Sequence, residues 1–318
     1  MSASAASGIV DVVVAAFDCA GTIERAVLSA LAEPQVRRVF VVDDASRDET
    51  AARATALANR DVRVVVHRLP INRGPSAARN LALELGAAPW VAPLDGDDYF
   101  RPGRIARLLA AADGVDFVAD DIVQVDAVEL GEIASPRTLT GQQERRRLDF
   151  AAFVAGNVSG RGRRRELGFL KPLMRREFLD RYGLRYADEL RLGEDYALYA
   201  QALALGARFV VLPACGYVAV VRANSLSGRH SRHDLERLRD FDARLAAAFD
   251  LRPADRRALR RHTLSVEARV RWLAVIEGFK SRNPRAFCAP FAGPPQIVGF
   301  LTRQLFAEGV RRAVRLAR

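Results

Sequence analysis

Val39-Phe40-Val41-Val42-Asp43-Asp44-Ala45-Ser46-Arg47-Asp48-Glu49-Thr50 decides the fold. Its apolar, largely β-branched start reads, with Val36 at its head, as a buried strand over Val36 to Val42. Two carboxylates follow at once, and an alanine-rich helix is predicted over Asp48 to Asn59, with Asp48 at the cap position. On the N-terminal side, Ile9 to Ala16 is another β-branched run. It leads through Gly21-Thr22 into a helical face of Ile23, Ala26, Val27, Ala30 and Leu31. On the C-terminal side the alternation continues. Strands are predicted over Val62 to Val66, Trp90 to Leu94 and Val115 to Val123, and helices over Pro75 to Gly86 and Pro102 to Ala112. Apolar strands separated by helices form a mostly parallel sheet covered on both faces, the α/β, Rossmann-like class. Ligands of such sheets bind beyond the strands' carboxyl ends.

Composition adds bounds. The 318 residues are 50% hydrophobic and 27% charged, the profile of a globular chain. The net charge is +11, and 47 of the 49 basic residues are arginine, Lys171 and Lys280 being the exceptions. Residues 1–140 hold 14 arginines against 20 acids, and residues 141–318 hold 35 bases against 18 acids, so the halves carry −6 and +17. A nucleic-acid-binding protein using the arginine-rich half is one reading. It expects basic patches interleaved with stacking aromatics, and few aromatics stand among these arginines. Cys19, Cys215 and Cys288 are too dispersed for a metal cluster or disulfide framework, which points to a reducing, cytosolic setting. Met1 to Gly8 lacks the features of a signal peptide, and no stretch approaches the roughly 20 apolar residues of a membrane span.

After about Val128 the pattern changes. Gly156 to Arg165 is rich in glycine and arginine; a helix is predicted over Glu194 to Gly206 and a strand pair across Arg208 to Val221. Helices follow over Ser231 to Asp250 and Pro253 to Phe279, the second long enough to invite a break. A Pro-rich linker, Pro290 to Pro295, precedes a final segment, Gln296 to Arg318. There Ile297, Val298, Leu301, Leu305 and Phe306 recur at helical spacing, with Arg303, Arg311, Arg312, Arg315 and Arg318 among or after them. A basic amphipathic helix of this kind suits an anionic membrane surface, and packing on the domain or on a second subunit, as a homodimer, is the alternative.

Chemistry gathers at strand ends. Asp43-Asp44 closes one strand and Asp95-Gly96-Asp97-Asp98 another. Crowded carboxylates repel, and a hard divalent cation, Mg²⁺ or Mn²⁺, offsets the repulsion; capping of the next helix by Asp97 or Asp98 is the ordinary alternative. A metal that completes its shell with phosphate oxygens points to a nucleotide or nucleotide-sugar substrate. Between the acidic groups, Asn72-Arg73-Gly74-Pro75-Ser76-Ala77-Ala78-Arg79-Asn80 opens a helix whose N-terminus favours anions, with Arg79 one turn in and in reach of a phosphate.

Ile9 to Asp18, Val39 to Thr50, Asn72 to Asn80 and Leu94 to Asp98 together resemble family 2 glycosyltransferases, inverting enzymes with the GT-A nucleotide-diphospho-sugar transferase fold. The resemblance covers roughly residues 9 to 220. It implies a nucleotide-sugar donor, commonly UDP-linked, with Asp43 or Asp44 facing the base, Asp95 near the ribose, and Asp97 as metal ligand of a DxD motif, joined by Asp98. It also implies an acidic motif about 100 residues downstream, met by Gly193-Glu194-Asp195-Tyr196. Asp195 is then the base that deprotonates the acceptor hydroxyl, with Glu194 in support. Where the family often has Pro-x-Tyr-Asn, this chain has Ala15-Ala16-Phe17-Asp18, keeping the aromatic Phe17 for the base. Of the Gln-x-x-Arg-Trp of polymerising members only Arg271-Trp272 is present, with Ala268 in place of the glutamine, which implies addition of a single sugar. His230 or His233 stands where a late histidine completes the metal site of some GT-A enzymes; a solvated helix start is the alternative. The run from Gly160 through Arg163, Arg164 and Lys171 is similar to glycosyltransferases of succinoglycan-type exopolysaccharide assembly, which extend lipid-linked oligosaccharides. It implies basic residues on the acceptor side. The expected division is a donor half, 1–125; an acceptor half of the same domain, 126–225; a helical extension, 226–289; and a linker with basic tail, 290–318. The setting implied is cytoplasmic, peripheral at the inner face of the plasma membrane. A non-catalytic scaffold of the same fold is the remaining alternative, against which the intact Asp95, Asp97 and Asp195 stand.

Overall fold

Four apolar strands, β1 (Val10–Ala16), β2 (Val36–Asp43), β3 (Val64–Arg68) and β4 (Trp90–Asp95), lie parallel in the order β3-β2-β1-β4. Helices α1 (Ile23–Leu31), α2 (Thr50–Ala58) and α3 (Pro75–Leu85) connect them. The computed structural model describes residues 8–126, 137–158, 166–221 and 231–316. It forms two compact units, Met1–Ser225 and Leu226–Arg318. Burial explains the apolar strands: Val12, Val14, Val39, Val41, Val42, Val91 and Leu94 are fully enclosed. Asp11, a charge inside β1, is buried too. Its carboxylate accepts from the amides of Ala87 and Ala88 at 2.8 and 2.7 Å and pairs with Arg37, so it fixes the turn entering β4.

Two boundaries move for local reasons. The third strand starts at Val64 because Asp61 closes a turn, accepting from the Arg63 amide and, through its carbonyl, from Val64. Helix α2 starts at Thr50, and Asp48 instead links two loops, accepting from the amides of Ala20 and Thr50.

The predicted strand over 115–123 divides into β6 (Phe117–Asp120) and β7 (Val123–Asp126), which lie in different sheets. Asp121 sits at the division, accepting from the amides of Ile122, Thr140, Gly141 and Gln142. The predicted strand pair downstream divides in the same way. β11 (Phe209–Leu212) runs parallel beside β6, while β12 (Tyr217–Val221) runs parallel beside β7, so the two never pair with each other. The main sheet is completed by β10 (Leu173–Arg175), antiparallel between β4 and β6, and by β9 (Arg146–Leu148) at the edge. β5 (Tyr99–Phe100) and β8 (Arg137–Thr138) complete the smaller sheet. Helices α4 (Arg104–Ala110), α5 (Phe150–Ala155), α6 (Arg176–Arg181) and α7 (Glu194–Ala204) belong to the same unit.

The second unit is helical: α8 (Arg232–Ala248), α9 (Pro253–Lys280), α10 (Pro284–Cys288) and α11 (Pro295–Leu316). Ser231 and Asp234 form a capping box on α8. α9 runs 28 residues without a break. Ala268, Val275, Ile297 and Leu301 form a small core against which Trp272, Phe287, Phe291 and Leu305 pack. From the apolar stripe that opens α11, Ile297 and Leu301 are therefore buried within their own unit, while Phe306 stays exposed. The Pro-rich stretch is a packed turn as well, since Arg271 donates to the carbonyls of Pro290 and Ala292 at 3.1 and 2.6 Å. Among the described residues no helix is long and apolar enough to cross a membrane.

Candidate active site

The carboxyl ends of β1, β2 and β4 converge with the start of α3 and, from far along the chain, the start of α7. Asp18 and Ala45, just past β1 and β2, have φ of 46° and 59°, two of the three non-glycine residues in the left-handed region among the described residues. Such backbone strain persists only where neighbours over-determine it. Here the Asp18 amide donates to the Ser46 hydroxyl at 3.0 Å and the Arg47 amide to the Asp18 carboxylate at 2.8 Å. Phe17 lies half-buried beside them.

Asp43 and Asp44 are both buried. Asp44 uses its two oxygens on the amides of Arg73 and Gly74, at 2.7 and 2.8 Å, and so shapes the loop that starts α3. Burial raises its pKa against those two bonds. Gly74 has φ 91°, which a side chain would strain. Asp43 pairs with Arg68 at 3.2 Å. Arg73 turns outward to an exposed pair with Asp188.

Arg79, expected to reach for a phosphate, lies in α3 one turn from its start. Its guanidinium is buried and engaged by carboxylates: Asp95 at 2.6 Å, Glu194 at 2.8 Å and Asp195 at 3.7 Å. Lys171 lies beside it, also buried, with Nζ 2.5 Å from Asp195 and 3.1 Å from Asp95. Two cations and three carboxylates thus form one cluster across β4, α3, the segment before β10 and the first turn of α7. Tyr186 and Tyr199 wall it, and the Tyr199 hydroxyl reaches both the Leu170 carbonyl at 3.0 Å and Asp195 at 3.5 Å. Burial works to raise the Asp95 pKa, but Lys171 and Arg79 overcome it and hold the carboxyl well below its usual range. Burial likewise works against the Lys171 ammonium, yet Asp195 and Asp95 push its pKa well above normal. Glu194 goes the other way: burial, reinforced by Asp195, raises it despite Arg79.

The acidic loop after β4 is pinned by α1. Thr22 donates to the Gly96 carbonyl at 2.9 Å and Arg25 to the Asp97 carbonyl at 2.9 Å. Gly96 is required by packing, because a Cβ there would stand 2.8 Å from the Cys19 sulfur and 3.3 Å from the Ala15 carbonyl. Burial pushes the Cys19 thiol itself up to about 12, leaving it inert. Asp98 does not face outward as a ligand. Its carboxylate is buried and accepts from the Tyr217 hydroxyl at 2.8 Å and the Val220 amide at 2.9 Å, tying the loop to β12. The half-buried Asp97 is left as the metal-binding candidate. Among the described residues no three His, Cys, Asp or Glu side chains gather as a complete metal shell. One carboxylate fits a divalent ion that takes its other ligands from a substrate's phosphates and water.

His233 is exposed on α8 and accepts from Arg237 at 2.9 Å. His230, Arg163 and Arg164 lie outside the described residues. Tyr186, Tyr199 and Tyr217 were invisible to motif reading because they act through contacts formed across the fold.

A model of the family described as "Glycosyl transferase family 2" matches residues 11–167. The chain is 45% identical over 309 residues to the succinoglycan biosynthesis protein ExoU of Rhizobium meliloti, covering 94% of this chain and 88% of that protein. The chain belongs to glycosyl transferase family 2. It is a glycosyltransferase, and its fold is GT-A. The structure of S. aureus TarS in complex with UDP-GlcNAc overlays with a TM-score of 0.65 at 17% identity, over 88% of this chain and 90% of that one. The mannosyltransferase PcManGT of Pyrobaculum calidifontis, in complex with GDP-Man and Mn²⁺, overlays with a TM-score of 0.58 at 17% identity, over 97% and 81%. Within this family the nucleic-acid reading of the arginine content gives way, and so does the non-catalytic scaffold.

Proposed function

We propose that this enzyme transfers one sugar, with inversion, from a UDP-linked donor to a lipid-linked glycan in exopolysaccharide assembly. The observation that carries the reading is the joining of Asp95, at the end of β4, to Asp195, 100 residues later at the start of α7, through Lys171 and Arg79. The likeness to ExoU supports the exopolysaccharide setting. In this reading Phe17, Asp43, Asp44, Arg73 and Asp95 line the donor side, with Arg79 organising it. The acceptor hydroxyl attacks the anomeric carbon as the bond from that carbon to the diphosphate breaks. Asp195 takes the hydroxyl proton, and the nucleoside diphosphate leaves. Asp97 would hold Mg²⁺ or Mn²⁺, which when bound supplies positive charge to the departing diphosphate. Arg163 and Arg164 are assigned to the acceptor's phosphates. The setting is the inner face of the plasma membrane, where the basic end of the chain suits anionic lipid.

A panel of nucleotide sugars with Mn²⁺, scored by thermal shift, identifies the donor: the cognate one raises the melting temperature and Asp97→Asn removes the metal-dependent part. Asp195→Asn should keep donor binding by calorimetry and lose transfer. Retained transfer would refute the base assignment.

A further inference from the structure

We infer that Lys171 is a positioning residue that sets the base Asp195 against the donor-side Asp95. In a chain with 47 arginines and two lysines, one of the lysines occupies the centre of this buried cluster. The difference is physical. An ammonium is a compact point charge with three donors, whereas a guanidinium is a broad planar fork, a shape already present in Arg79 alongside. Only the smaller group bridges oxygens of two carboxylates at 2.5 and 3.1 Å in the space beside that fork.

The backbone beneath Lys171 is fixed independently. Its carbonyl accepts from Arg104 at 2.6 Å, and Arg104 is fully buried and paired with Asp120. The neighbouring Leu170 carbonyl accepts from Tyr199, the same hydroxyl that reaches Asp195. Lys171 and Asp195 are therefore locked to each other through side chain and backbone alike. The groups facing Asp195 are Lys171, Arg79, Glu194, Asp95, Tyr186 and Tyr199. Without Lys171, Asp95 and Asp195 share Arg79 alone, and the Asp195 carboxylate loses the contact that orients it.

The inference rests on Asp195 being the base, so the test includes Asp195→Asn. Steady-state transfer, donor affinity by calorimetry and melting temperature are measured for Lys171→Met and Lys171→Arg. Lys171→Met should lower kcat by ~100-fold, the scale of a misplaced catalytic group, with donor Kd changed less than about threefold. Lys171→Arg should recover part of the melting temperature lost in Lys171→Met while kcat stays at least ~10-fold down, since it returns the charge and not the shape. Recovery of kcat in step with melting temperature would make Lys171 structural and overturn the inference, as would a loss confined to donor Kd. If Asp195→Asn abolishes transfer and Lys171→Met does not, the inference alone fails. If Asp195→Asn keeps transfer, the base assignment fails with it.

Discussion

Arg79→Met removes a cation from a buried cluster while keeping much of its volume. Arg79 donates to Asp95 at 2.6 Å and to Glu194 at 2.8 Å, and stands 3.7 Å from Asp195. Removing one partner of a buried ion pair costs about 3–5 kcal/mol because the other charge stays desolvated. Lys171 remains to share Asp95 and Asp195, so the lower end, about 3 kcal/mol, is expected at neutral pH. With a urea m-value of about 2–3 kcal/mol/M, the unfolding midpoint falls by about 1 M. A Trp272→Phe background leaves Trp90, in β4, as the fluorescent reporter of the unit that holds the cluster. The pH dependence has a definite sign. In the parent the depressed Asp95 pKa contributes stability that is present above the unfolded carboxyl pKa and lost as pH falls through the lower folded value. In the variant Asp95 loses one cation and Glu194, already raised, loses the guanidinium that hydrogen-bonds it, so the folded state binds protons more readily than the unfolded chain. The variant therefore gains more stability than the parent as pH is lowered from 7.5 to 5, and the gap narrows. A midpoint within 0.3 M of the parent at pH 7.5 (~0.3 M being about 1 kcal/mol or less), or a gap that ignores pH, would refute the reasoning.

Gly96→Ala drives a methyl against the Cys19 sulfur and the Ala15 carbonyl, so it should cost about 1–3 kcal/mol, and adding Cys19→Ala should recover part of that; no recovery on thermal melting removes the packing explanation. In α11 the two faces should behave oppositely. Leu301→Ala, in the core, should cost about 2–5 kcal/mol of the second unit's stability, whereas Phe306→Ser, at a side chain 77% exposed, should leave melting unchanged and weaken sedimentation with anionic vesicles. Undiminished sedimentation of Phe306→Ser would remove that residue from any membrane contact.

The donor-side half of the fold is legible because each of its strands carries a run of apolar residues and each connection is short and local. Val39 to Thr50 can be read without knowing its neighbours. The second half resists for the opposite reason. Three-residue strands such as β10 carry no periodic signal, and β10 reaches its place between β4 and β6 only after the chain has wandered for some 50 residues. Likewise Val115 to Val123 looks like one strand until Asp121 gathers four backbone amides and turns it into two.

The carboxylates at the ends of β2 and β4, the glycine that opens α3 and the acidic pair that opens α7 follow from residue order alone, because a strand end and a helix start are local events. Which of those carboxylates face one another does not. Asp97 and Asp98 are adjacent in sequence, yet only β12, arriving more than 100 residues later, engages the Asp98 carboxylate through Tyr217 and Val220. Lys171 reads as one more charge in a basic stretch until folding buries it between Asp95 and Asp195. Charge type and backbone propensity are properties of a residue, whereas desolvation and pairing are properties of a place, and only the tertiary structure supplies the place.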